Sequence, residues 1–164
     1  MKLWQIGPEA AASWREIRLE ALRLAPRAFG SRYEDWRDVP LSSFKKRLSD
    51  ARHFAAGEAD GRPLAVGCWQ EGMVSDDPAQ GWVMSVYARP EARGLGYAQA
   101  VMARIAEDAR AAGMTSLGLH VVTTNHAALR FYARLGYADS GIAGVMSNLG
   151  DPEFRLMLDL GPRI

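Results

Sequence analysis

Residues 82–112 constrain this chain more tightly than any other stretch. Trp82-Val83-Met84-Ser85-Val86-Tyr87 is an apolar run of strand length. A short turn, Ala88-Arg89-Pro90-Glu91-Ala92, follows it, and Arg93-Gly94-Leu95-Gly96-Tyr97-Ala98 then leads into a helical pattern. In that pattern Ala98, Val101, Met102, Ile105, Ala106 and Ala109 share one face, and Gly113 stops the helix. The first turn of a helix leaves N–H groups unpaired at the positive end of its dipole. A strand, a glycine turn and a helix start in this order therefore make an anion site. The glycines at 94 and 96 leave room for a phosphate to approach the backbone.

The flanking segments read as an α/β protein. Residues 3–6 suit a first strand, and residues 9–24 a helix, with Ala10, Trp14, Ile17, Ala21 and Leu24 on one side. A short helix fits within residues 27–40, and a further one residues 41–51, with Leu41, Phe44 and Leu48 aligned. Strands at 53–59 and 62–70 meet at Asp60-Gly61, the signature of a two-residue hairpin turn. After the polar loop 71–80, the 82–87 strand returns antiparallel to its predecessor. Residues 116–122 form the next strand, reached through a helix and hence parallel to 82–87. Thr123, Thr124 and Asn125 offer caps for a helix ending at Gly136, and strands at 137–142 and 154–160 close the chain. The 164 residues suit one domain over 1–164, with a mostly antiparallel sheet and a central parallel pair.

Composition narrows the function classes. A formal charge of +1 with scattered arginines gives no basis for nucleic-acid binding, and most of those arginines read as solvated surface. No apolar run approaches the roughly 20 residues of a membrane helix, and the N-terminus lacks signal-peptide features, which points to the cytoplasm. Cys68 alternates with Leu64 and Val66 and reads as a core thiol, while His53, His120 and His126 lack metal-ligand spacing.

Three phosphate-binding patterns compete for the glycine turn. A P-loop needs Gly-Lys-Ser/Thr, which is absent, and a dinucleotide fold needs a third glycine where Gln99 stands. The third pattern, Arg/Gln-x-x-Gly-x-Gly/Ala, is matched by Arg93, Gly96 and Ala98. Downstream, Asn125-His126-Ala127-Ala128-Leu129-Arg130-Phe131-Tyr132 runs on to Gly136-Tyr137. With both motifs in order, the chain resembles the GCN5-related N-acetyltransferase (GNAT) superfamily over residues 82–137.

The resemblance implies a GNAT-like α/β fold of six or seven strands with about four helices. It implies acetyl-CoA as cosubstrate and a primary amine, on a small molecule or a protein, as acceptor. No metal, nucleic acid or membrane is implied, and a homodimer is left open. Amides of Arg93, Gly94, Leu95, Gly96, Tyr97, Ala98 and Gln99 would cradle the pyrophosphate. Val86, Tyr87 and Ala88 would pair their backbone with the pantetheine arm and supply a carbonyl-polarising N–H. Asn125 would touch that arm, cap its helix, or do both. Tyr132 stands at the family's general-acid position, with packing as the alternative. Free thiols titrate near about 8.5 and tyrosines near about 10, so donation to a thiolate is mildly uphill. His120 stands where some relatives carry the glutamate base, and its imidazole suits that task. The other sources of a base are an ordered water chain, Glu71, Asp76 or Asp77. Family position places the acceptor near residues 29–36 and 141–152, where Glu34, Asp35 and Trp36 could receive a cationic amine. A non-catalytic acyl-CoA sensor would keep residues 93–98 but need neither Tyr132 nor a base.

Overall fold

The computed structural model describes residues 1–72 and 77–162. Seven strands are formed among the described residues: β1 (Lys2–Ile6), β2 (Arg52–Gly57), β3 (Pro63–Glu71), β4 (Gln80–Ala88), β5 (Ser116–Val122), β6 (Ala138–Asp139) and β7 (Glu153–Asp159). Five helices accompany them: α1 (Ala11–Leu24), α2 (Tyr33–Trp36), α3 (Leu41–Asp50), α4 (Tyr97–Ala111) and α5 (His126–Arg134). The strands make one sheet in the order β1-β2-β3-β4-β5-β7-β6, antiparallel throughout except for β4 beside β5. This is the mixed sheet with a central parallel pair that the sequence leads one to expect.

Alternation along the strands divides the apolar side chains between two cores. Phe54 and Ala56 of β2 join Ala65, Leu117, Leu119 and Val121 beneath Val101, Ile105 and Ala109 of α4. Ala55, on the opposite face, joins Val66 and Tyr87 beneath Trp14, Ile17 and Ala21 of α1 and Phe44 and Leu48 of α3. The expected stripe on α1 is rotated at its end. Leu24 is half exposed, while Arg18 and Leu22 are buried. At 3.6 residues per turn, the buried residues Ala11, Trp14, Ile17, Arg18, Ala21 and Leu22 cover an arc from about −60° to about +80° around Trp14, and Leu24, at about −80°, falls outside it.

The β2–β3 hairpin forms, but its two-residue turn does not. The ladder ends at Gly57 opposite Pro63, leaving five residues in the loop. Pro63 has no N–H with which to carry the ladder further inward. Gly61 still adopts the left-handed conformation, with φ 77°, and Asp60 accepts from the Arg62 N–H. At the other end of the chain, residues 137–142 contribute only the two-residue β6. β7 inserts between it and β5.

Candidate active site

The central parallel pair is short. β4 bonds β5 only at Gln80–Ser116, Gly81–Leu117 and Trp82–Gly118. Beyond those positions β4 stays paired with β3 as far as Ala88, and β5 with β7 as far as Val122. The facing edges, residues 83–88 and 119–122, carry no ladder between them. Main-chain donors and acceptors along such an edge are ready to pair with an extended ligand.

A bulge in β4 accompanies the divergence. Cys68 opposes Met84 and Val66 opposes Tyr87, so Gly67 alone faces both Ser85 and Val86. Ser85 has φ 58°, and among the described residues it is the one non-glycine residue with positive φ. A bulge bends its strand and increases the local twist. Val83 and Val86, three apart, consequently pack towards the same α4 core, while Tyr87 faces α1. A Cβ on Gly67 would lie 3.1 Å from side chains of both Val101 and Ile105, so the bulge sits tightly against α4.

β4 runs directly into the glycine turn. A one-turn 3-10 helix (Pro90–Ala92) follows, and Arg93 Nε then donates back to the Ala88 carbonyl at 3.2 Å. Gly94 and Gly96 have φ of 75° and 90°, which L side chains adopt only with strain. Gly96 is the N-cap of α4 and offers no side chain as a cap. The first helical bond runs from Ala100 N to Gly96 O, so the N–H groups of Gly96, Tyr97, Ala98 and Gln99 have no protein acceptor among the described residues. The Tyr97 side chain turns inward and its hydroxyl donates to Glu58, while the side chains of Arg93, Leu95 and Gln99 are exposed around the turn. At the base of the turn, Glu20 accepts from Tyr87 Oη at 3.0 Å and Arg89 Nη1 at 2.7 Å. The side chain of Tyr87 thereby serves the α1 core, and only its backbone remains for a ligand.

Across the cleft stands α5. Asn125 caps it by accepting from Ala128 N at 3.2 Å. Tyr132 is buried and makes edge contacts with Phe131 and Tyr137 at centroid distances of 5.3 and 5.7 Å. Its hydroxyl has no protein hydrogen bond but is not sealed in, whereas Tyr137 Oη is both enclosed and unpartnered. Burial pushes the pKa of the Tyr132 hydroxyl well above its usual value, so the group holds its proton.

His120 comes from the opposite face of β5, the one it shares with Ser116 and Gly118. It is half-buried, with its ring edge-on to Trp82 at 4.8 Å. Arg155 lies over the same indole and donates to Gln80 Oε1 at 3.0 Å. Burial, then the Arg155 charge, lowers the His120 pKa below its usual 6.5, favouring the neutral ring. No ring contact joins His120 to Tyr132, whose core includes Leu119 and Val121 of the other face.

Among the other sources of a base, Glu71 is exposed at the end of β3. Asp77 Oδ1 accepts from Ala79 N, and Asp76 lies outside the described residues. Among the described residues no group of His, Cys, Asp and Glu could hold a metal ion, and no helix is long and apolar enough to cross a membrane. Cys68 is a buried thiol donating to Met84 O, its pKa raised by burial to about 11.

The loop after α1 and the loop before β7 meet over the open side of the cleft. Arg27 pairs with Asp151 at 2.9 Å, and Asn148 donates to Gly30 O at 2.7 Å. A cavity of about 360 Å³ lies there, between Pro26, Arg27, Val122 and Asn125. Of the residues expected to receive the acceptor, Glu34 and Asp35 are exposed. Trp36 is not available as a cation receptor, because it is buried with the guanidiniums of Arg18 and Arg47 against its ring. Sequence reasoning missed Arg18, Ser85 and the Glu20–Arg89–Tyr87 network; only the four-residue spacing of Arg18 between Trp14 and Leu22 carried a signal.

A diverging parallel pair, a bulge and an uncapped glycine turn define the acyltransferase class that the two motifs imply. A model described as the Acetyltransferase (GNAT) family matches residues 12–137, and the chain belongs to that family. No curated protein matches the sequence significantly. Among solved structures, the fold resembles the ribosomal-protein-alanine N-acetyltransferase of Brucella melitensis, with TM-score 0.81, 15% identity, and 97% of this chain and 99% of that one covered. It also resembles yncA of Salmonella typhimurium, solved with its cofactor acetyl-CoA, with TM-score 0.75, 18% identity and coverage of 100% and 96%. The ribosomal-protein-S18-alanine N-acetyltransferase of Escherichia coli gives TM-score 0.69, 15% identity and coverage of 98% and 94%.

Proposed function

We propose that the protein transfers the acetyl group of acetyl-CoA directly to a primary amine within a ternary complex. The observation that carries this reading is the unpaired β4 edge running straight into the amides at the start of α4. Backbone N–H groups of Gly94 and residues 96–99 bind the pyrophosphate, where the helix dipole favours negative charge, while those of Arg93 and Leu95 donate to Pro90 O and Ala92 O and shape the turn. The edge at Val86 and Ala88 pairs with the pantetheine arm, and an N–H there polarises the thioester carbonyl.

The amine nitrogen attacks that carbonyl, forming the C–N bond as the C–S bond breaks. His120, neutral and against Trp82, takes the proton released by the amine, directly or through water. Tyr132 donates a hydrogen bond or its proton to the departing thiolate. Asn125 is assigned to capping α5, which holds Tyr132 in place.

Thiol release from acetyl-CoA on addition of an amine panel tests the reaction. Coenzyme A binding by thermal shift without transfer to any amine would return the chain to the sensor reading. His120→Ala should raise the apparent pKa on the acid limb of the rate; an unchanged pH profile removes His120 as base.

A further inference from the structure

We propose that the acceptor is a small amine that also carries a carboxylate, the class of the amino acids, and that Arg18 receives the carboxylate beside the Ser85 bulge. The inference rests on the transferase reading and names the substrate class of the same cleft.

Arg18 is 8% exposed, yet it has no carboxylate partner among the described residues. Its guanidinium lies 5.3 Å from the Phe29 ring centroid and 5.1 Å from that of Trp36. Its one hydrogen bond is a long one, Nη1 to Ser85 Oγ at 3.4 Å, and Nε is enclosed without a partner. Burial, opposed by Cys68 and reinforced by Arg47, lowers its pKa to about 10. A second guanidinium, Arg47, stacks over the same Trp36 ring at 4.7 Å.

The contrast with Arg89 is informative. Arg89 is 4% exposed, and there the fold supplies Glu20 at 2.7 Å and the Pro63 carbonyl at 2.8 Å, leaving Nη2 alone without a partner. Glu20 sits two residues from Arg18 on the same helix but is committed to Arg89 and Tyr87. A buried cation with no counter-charge is costly, and a carboxylate from outside the chain removes the cost. Guanidinium suits that partner because two adjacent N–H groups match two carboxylate oxygens.

Position ties this cation to the reaction. Ser85 adjoins residues 86–88, where the thioester carbonyl is held, and Phe29 belongs to the loop whose Gly30 is fastened to Asn148. An amine close to a carboxylate bound at Arg18 is thereby brought towards the thioester. The paired guanidiniums on Trp36 also repel acceptors that carry only positive charge.

The test compares the twenty L-amino acids with their carboxamides as acceptors, following thiol release from acetyl-CoA. The best acid should exceed its amide in kcat/KM by about 10-fold or more, the size of one charge-assisted hydrogen bond. Arg18→Met should collapse that ratio, chiefly through KM, while the melting temperature holds or rises; Arg18→Lys should retain part of the ratio. Equal use of acids and amides overturns the proposal, as does a ratio unchanged in Arg18→Met or a variant that only loses stability. Thermal shift of the coenzyme A-saturated protein by the same compounds separates the two readings. Stabilisation by acids and not amides, lost in Arg18→Met, upholds the carboxylate site even if no transfer occurs. The absence of both transfer and stabilisation overturns it.

Discussion

Replacing Tyr132 with phenylalanine separates the catalytic and packing roles of one side chain. The ring contacts to Phe131 and Tyr137 survive the change, and the hydroxyl makes no protein hydrogen bond that could be lost. Removing a partly desolvated, unpartnered hydroxyl should alter stability by no more than about 0.5 kcal/mol, and in either direction. The rate should respond differently. A thiol near about 8.5 and a tyrosine already above about 10 make full proton donation uphill by more than about 2 kcal/mol. The raised pKa of Tyr132 therefore favours a hydrogen bond that strengthens as charge builds on sulfur, rather than a free acid. Loss of that bond should lower kcat by about 10- to 100-fold, or about 1.4–2.7 kcal/mol, which is at or below the low end of general-acid effects because a hydrogen bond and not a full proton is given. Steady-state thiol release gives kcat, and thermal shift with coenzyme A checks that binding is retained. A kcat within two-fold of the parent, or a loss matched by a fall in melting temperature, would refute the reasoning. The same raised pKa predicts an alkaline effect. The native state holds the proton after the unfolded chain has released it, so stability falls as pH rises past about 10, and Tyr132→Phe should weaken that fall.

Three further outcomes follow from particular residues. His53 is 4% exposed and bonds the Arg47 carbonyl, and burial lowers its pKa from 6.5 to about 4. Its contribution, about 3 kcal/mol at most, is fully present above pH 6.5 and lost as pH falls through about 4; urea unfolding of the parent and His53→Gln across that window measures it. Gly96→Ala places a Cβ at φ 90° and should cost about 1–2 kcal/mol while raising the KM for acetyl-CoA; an unchanged melt and KM would contradict the turn's role. Asp108→Ala strands the fully buried Trp69 Nε1, which donates to Asp108 at 2.8 Å. Denaturant titration should show a loss of about 2–3 kcal/mol, with little from the half-exposed Arg52.

Much of the fold was legible because its signals are local. The glycine turn, the α4 stripe and the Asn125–Tyr132 motif each occupy one continuous segment whose period and end signals can be read directly. Strand alternation likewise placed Leu117, Leu119 and Val121 together on one face of β5. The errors fell where a partner element decides. Arg18 reads as surface because arginines usually are, although its four-residue spacing from Trp14 and Leu22 put it on the buried stripe. Trp36 reads as an exposed aromatic among charges until α1 and α3 close over it.

The sequence by itself determined the helix start that presents free amides, the left-handed glycines that shape it, and the tyrosine helix that follows β5. Those features depend on residue type, spacing and neighbours within a turn or two. Tertiary structure alone decided that β4 and β5 separate after Trp82, that Ser85 bulges against Gly67, and that Arg18 is buried there without a counter-ion. Register and charge compensation are properties of pairs of elements, so they exist only once distant segments have met.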